Sequence, residues 1–217
     1  MKKEVHVWDI WIRLFHWTLV ALILFSWLSA ELGGIWMEWH TQAGSITAGL
    51  IVFRILWGLF GSWSARFATF VRGPKAVLRY LKREDNAEYL SHNPLGGWGV
   101  VALLTLITLQ VLTGLFSNDD IFIEGPLAYL IDYDTSIAIT GIHELIFKLL
   151  MLTIILHLAG VAFHQRVCKE KLIQAMFHGR KARKSETLLP QPSRPTALLV
   201  LALAAAIGIS AWLLFGF

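Results

Sequence analysis

The chain has 217 residues, 56% hydrophobic and only 16% charged, with ten Trp, one Cys and a net charge of +4. A soluble domain runs nearer about half apolar and about a quarter charged, and here the apolar residues come in blocks of about twenty. This excludes an ordinary cytoplasmic globule, a disordered tail and a disulfide-stapled secreted domain, and the lack of C-x-x-C-H excludes covalently attached haem.

Crossing about 30 Å of hydrocarbon takes roughly 20 apolar residues in a helix. In chain order the candidate spans are about Ile10–Ala30, His40–Phe60, Trp98–Phe116, Ile137–Phe163 and Thr196–Phe217. The first carries Arg13 and His16 near its start and lacks a small-residue cleavage site, so it reads as a span and not a signal peptide. Between the second and third spans, Pro74 followed by Lys75–Leu90 reads as an amphipathic helix on the inner leaflet, with a solvated loop as the alternative. Ser185–Arg194, with Pro190 and Pro192, reads as a linker to the last span, which has no His or charge and is expected to serve packing or assembly. Domain organisation is therefore 1–180 for the main membrane domain and 181–217 for the linker and the added helix.

Charge placement orients the bundle. Lys and Arg number two in residues 1–9, six in 61–97 and eight in 165–194, against none in 31–39 and 117–138. The last of these segments instead carries Asp119, Asp120, Glu124, Asp132 and Asp134. The expectation is an inner-membrane, multi-pass protein with a cytoplasmic N-terminus and a periplasmic C-terminus. The positive charge then belongs to a membrane topology and implies no nucleic acid.

Ionisable side chains within spans cost several kcal/mol and default to a functional reading. His143 and His157 are separated by about 21 Å of helical rise and about 40° of rotation, so they share a face. His40 stands at the outer level with His143, and His16 at the inner level with His157. Facing imidazole pairs are what a six-coordinate b-type haem needs, since the porphyrin supplies the other four nitrogens. Zinc would need four ligands at one point, and a proton relay would mix carboxylates among the histidines. His164, about 20° further round the same stripe, is the competing inner ligand but lies about 31 Å from His143, so His157 is preferred. His6, His92 and His178 fall outside the spans.

Further residues are candidates for cofactor binding. Gly44, one turn after His40, leaves room for a flat macrocycle or for close helix packing. Arg13 and Arg54 lie towards the cytoplasmic end, where they can pair with haem propionates or snorkel to headgroups. Lys148 is about 140° round from His143, and its expected partner is a propionate or a quinone headgroup.

Several ordered segments are similar to one family: Val7-Trp8-Asp9, Arg13-Leu14-Phe15-His16-Trp17, Phe53-Arg54-Ile55-Leu56-Trp57-Gly58, Ala65-Arg66-Phe67, Phe70-Val71-Arg72-Gly73-Pro74 and His92-Asn93-Pro94-Leu95-Gly96-Gly97-Trp98. From about residue 5 to about residue 180 the chain resembles the bacterial cytochrome b561 family, a grouping that includes the cytochrome b subunits of nickel–iron hydrogenases. The resemblance implies a four-helix, dihaem b-type inner-membrane cytochrome, with axial ligands falling on His16, His40, His143 and His157.

The resulting expectation is an all-α integral membrane bundle: a four-helix dihaem core plus a fifth C-terminal transmembrane helix. It carries electrons between the quinone pool and a periplasmic partner, a hydrogenase or a c-type cytochrome, and is an electron-transfer cytochrome more than a stand-alone oxidoreductase. Two haem b, bis-histidine and non-covalent, are the expected cofactors, with quinone as a further ligand. Two alternatives stay open: a superoxide oxidase that reduces quinone, and a membrane anchor for a partner enzyme with no electron transfer of its own. The redox partner, the quinone site and any homo-oligomer are left open by the sequence.

Overall fold

The computed structural model describes residues 3–84, 87–121, 123–183 and 196–216. Strand β1 (Lys3–His6) leads into α1 (Ile10–Leu32), and α2 (Trp36–Phe60) returns beside it. Asp9 caps α1, its Oδ1 accepting from the Ile12 amide at 2.9 Å while its Oδ2 accepts from Trp57 Nε1 at 3.2 Å. One carboxylate thus satisfies an orphan donor of α1 and pins the far end of α2. The turn between the two helices runs through Gly33 and Gly34 at φ of 61° and 56°, a left-handed pair that only glycine adopts readily.

Two short helices follow, α3 (Phe67–Phe70) and α4 (Pro74–Leu81). α4 begins at the proline as expected but ends at Leu81, well short of Leu90, because Arg83 turns left-handed at φ 59° and residues 87–90 are not helical. No residue of α4 is buried, and Leu78 and Leu81 are exposed, as suits a helix lying on a lipid surface.

Helices α5 (Pro94–Gly114) and α6 (Tyr133–Arg166) form a second packed pair, and α2 touches α5. Asn93 and Asp132 cap them, accepting from Gly96 N at 2.7 Å and Thr135 N at 2.9 Å. α6 has 34 residues, a length of about 51 Å that overruns the hydrocarbon thickness. Helix α7 (Leu172–His178) and strand β2 (Arg180–Arg183) follow, and β2 pairs antiparallel with β1, Val5 opposite Lys181. This strand pair was not foreseen from the sequence. Gly179 joins α7 to it at φ 78°, where a Cβ would stand 2.4 Å from the Trp8 carbonyl oxygen.

The last helix, α8 (Thr196–Phe215), packs along α2. Small residues set the approach: a Cβ on Gly49 would lie 2.1 Å from Ser210 Oγ and 2.4 Å from the Ala206 carbonyl oxygen. In lipid, where apolar burial gives no drive to association, such close backbone approach supplies dispersion contacts instead. Five helices among the described residues, α1, α2, α5, α6 and α8, are long and apolar enough to cross a membrane. The structure is therefore an all-α membrane bundle, with span boundaries shifted by a few residues from expectation. The proposed linker Ser185–Arg194 lies outside the described residues.

Candidate functional site

The outer histidines meet. His40 sits one turn into α2 and His143 about three turns into α6, and their ring centroids are 6.3 Å apart with planes at 77°. His40 Nδ1–H donates to the Ser26 carbonyl at 2.8 Å. A carbonyl can only accept, so Nδ1 carries the proton and Nε2 keeps its lone pair in the neutral ring. His143 is held from α5: Thr113 Oγ1 lies 3.0 Å from its Nδ1, and the Gln110 side-chain amide 2.8 Å from its Nε2. The Gln110 side-chain oxygen, Oε1, is buried without a hydrogen-bond partner.

The inner histidines are arranged differently. His16 on α1 stacks edge-on to Trp17 at 5.0 Å, and its Nδ1 is buried without a hydrogen-bond partner. His157 lies within electrostatic range of His16. It is exposed, as are its α6 neighbours from Ile155 to Gly160, so this stretch packs little against other helices. His164 is engaged elsewhere: its Nε2 is 3.3 Å from the Asn93 amide and 3.5 Å from the Tyr80 hydroxyl, and its Nδ1 is 3.6 Å from Glu170. Glu170 in turn pairs with Lys181 at 2.9 Å, tying the end of α6 to β2.

The remaining sequence candidates fall as follows. Gly44 is open, with nothing within 4 Å of a built Cβ. The Arg13 guanidinium donates to the Phe177 carbonyl at the end of α7, and its Nε is buried without a partner. Arg54 is 4% exposed, donates to the Ala65 carbonyl at 3.2 Å and lies over the Phe67 ring at 4.6 Å. Lys148 is exposed on α6. Outside the spans, His92 packs between Trp8 and Phe70, with ring centroids at 4.8 and 4.5 Å. Burial pushes its pKa down to about 3, and the charges of Arg54, Lys181 and His157 add to the effect.

Sequence reasoning missed Gln110 and Thr113. A signal was present: they stand three residues apart, on one face of a span whose other polar side chains are only Thr105 and Thr108. The Ser26 carbonyl had no side-chain signature to find.

The opposite loop is acidic, but part of that charge is structural. Asp119 Oδ1 accepts from the Ile121 and Ile123 amides at 3.0 and 2.8 Å, and Asp132 caps α6. The fold and these residues together define a multi-pass helical membrane protein with imidazoles facing one another inside the bundle. A family model described as prokaryotic cytochrome b561 matches residues 7–179, and the chain belongs to that family. Membership makes it a membrane electron-transfer protein working through b-type haem. The curated proteins and the solved structures give no match to it.

The residues fit such a group. The rings of His40 and His143, 6.3 Å between centroids, would leave room for a metal held by one nitrogen of each. The nitrogen the metal would take on His143 is the one that now receives the Gln110 amide, so it is the basic one. Among the described residues no three His, Cys, Asp or Glu side chains gather as a metal cluster, and a haem iron asks the protein for only two ligands.

Proposed function

We propose that the protein carries electrons across the bacterial inner membrane through two b-type haems, between the quinone pool and a periplasmic partner such as a hydrogenase or a c-type cytochrome. His40 and His143 would hold the outer haem, and His16 and His157 the inner one. The observation that carries this reading is the outer pair, 6.3 Å between ring centroids with the His40 tautomer fixed by Ser26. Haem, when bound, supplies the reversible one-electron chemistry.

The chain's own residues bind, orient and bias. His164 is committed to Asn93 and Glu170, which supports His157 as the inner ligand. Gly44 gives a flat group close access to α2 beside His40. Arg13 and Arg54 bring positive charge to the end of the bundle where inner propionates need counter-charge, and Arg13 has an unused buried Nε.

The basic strands β1 and β2 and the connections at their end of the bundle support, by the positive-inside bias, a cytoplasmic placement of that end. The acidic 117–138 connection and Glu38 then face the periplasm. A negative outer face steers a basic protein partner in and slows an anion such as superoxide, which favours the carrier over the superoxide oxidase. The test is an optical spectrum of the purified protein, oxidised and dithionite-reduced, with haem counted per chain. Two low-spin b haems are expected. None would leave only the anchor reading, and one would break one of the two histidine pairs.

A further inference from the structure

We infer that Thr113 is a positioning residue of the outer pair: it accepts the Nδ1–H of His143 and so holds that ring in the tautomer whose Nε2 carries the lone pair a metal would take. The inference rests on the ligand assignment proposed above. Thr113 Oγ1 is 3.0 Å from His143 Nδ1. Its one proton has carbonyl acceptors along α5, Leu109 O at 2.8 Å and Gln110 O at 3.1 Å. With that proton given to a carbonyl, the hydroxyl oxygen presents lone pairs to the imidazole, and Nδ1 must be the donor.

The other side of the ring agrees. The Gln110 amide, a donor, sits 2.8 Å from Nε2, which requires a lone pair there. A Cβ on Gly114 would come within 3.0 Å of His143 Cε1, so the face of α5 formed by Gln110, Thr113 and Gly114 is a fitted seat for this ring. His40 is treated alike by the Ser26 carbonyl at 2.8 Å. His16 is not, since its buried Nδ1 has no hydrogen-bond partner. A hydrogen bond accepted from the far nitrogen raises the basicity of a ligating imidazole and fixes its rotation. Thr113 therefore acts on one haem only, lowering its reduction potential by favouring the oxidised iron.

The experiment is a redox titration of the full-length holoprotein, following the two haems by their optical transitions. Thr113→Val keeps the shape and removes the acceptor. One haem's midpoint should rise while the other stays put, and haem affinity at the shifted site should fall by about tenfold to hundredfold. Thr113→Ser should restore both values. His143→Ala should remove the same haem, which identifies it.

If Thr113→Val leaves both midpoints and both affinities as they were, or moves both haems together, the role of Thr113 is overturned. Loss of a haem in Thr113→Ser as well as in Thr113→Val would overturn it too. Retention of both haems by His143→Ala would instead overturn the ligand assignment, so the two failures are distinguishable.

Discussion

His40 and His143 face each other at 6.3 Å between ring centroids although they stand on helices separated in sequence by α5 and its flanking connections. All four helices of the core build that juxtaposition. α1 contributes the Ser26 carbonyl, α2 the first imidazole, α5 the seat of Gln110, Thr113 and Gly114, and α6 the second imidazole. A site assembled from every wall of a bundle reports on the whole bundle, and a shift in any one helix changes it.

Alanine at His40 or at His143 should each abolish the same haem, and the double variant should lose no more than either single one. His16→Ala and His157→Ala should abolish the other, while His164→Ala should keep both, since His164 is held by Asn93 and Glu170. Haem content by pyridine haemochrome and the reduced-minus-oxidised band shape decide the matter. Loss of a haem with His164→Ala and retention with His157→Ala would reverse the inner assignment.

Gly44→Leu tests the flat approach beside His40. The added side chain has open space, with nothing within 4 Å of its Cβ. Leucine is also the better helix former by roughly 0.8–1 kcal/mol. The apoprotein should therefore melt no lower than wild type, while haem content drops by about one per chain, because the side chain fills the room the macrocycle needs. Unchanged haem content would remove Gly44 from the site.

Much of this arrangement was legible in advance, for a physical reason. Spans announce themselves by length and apolarity, and a histidine at a given depth stays at that depth when the helix forms, so the span ends and the rise per residue set His40 level with His143. What could not be read was what holds His40, because Ser26 acts through its backbone. The β1–β2 pair was equally hidden, since four-residue basic strands such as Arg180–Arg183 carry no apolar alternation. The helix α4 stops short of Leu90 because the apolar face ends at Leu81, the five residues after it being polar or charged, and the backbone turns left-handed at Arg83.

The fifth helix can be tested through Gly49. Gly49→Val places atoms where Ser210 Oγ and the Ala206 carbonyl now lie, and such overpacking costs about 1–3 kcal/mol or more. In a chain ended after Arg183 the same substitution should cost far less, because α8 is the element it strikes. Thermal unfolding of the four proteins in one detergent gives the cycle. An equal loss in the long and short chains would mean that Gly49 is needed within α2 itself and not for α8.

His92 sets an acid limit. Its ordinary pKa of 6.5 falls to about 3 in the fold, because burial between Trp8 and Phe70 penalises the charged ring and Arg54 and Lys181 add repulsion. The unfolded chain therefore binds the proton more readily between those values, so stability is lost as pH falls from about 6.5 towards 3 and is full above that window. His92→Gln should flatten this limb in melting experiments run against pH. A limb unchanged in slope would assign the acid sensitivity to another group.

The pairing of β1 with β2 carries a consequence for how the protein is made. Strand β1 finds its partner only after α6 and α7 have been synthesised. Until then the N-terminal end of α1, with His16 two turns inside it, is not fastened to the segment that follows the helix carrying His157. The half of the bundle that carries β1 and β2 is therefore completed late in translation. Loading of cofactor at that level is best understood as an event of the finished chain, whereas the α1–α2 hairpin, with its Gly33–Gly34 turn and its Ser26–His40 hydrogen bond, can form while synthesis is still under way.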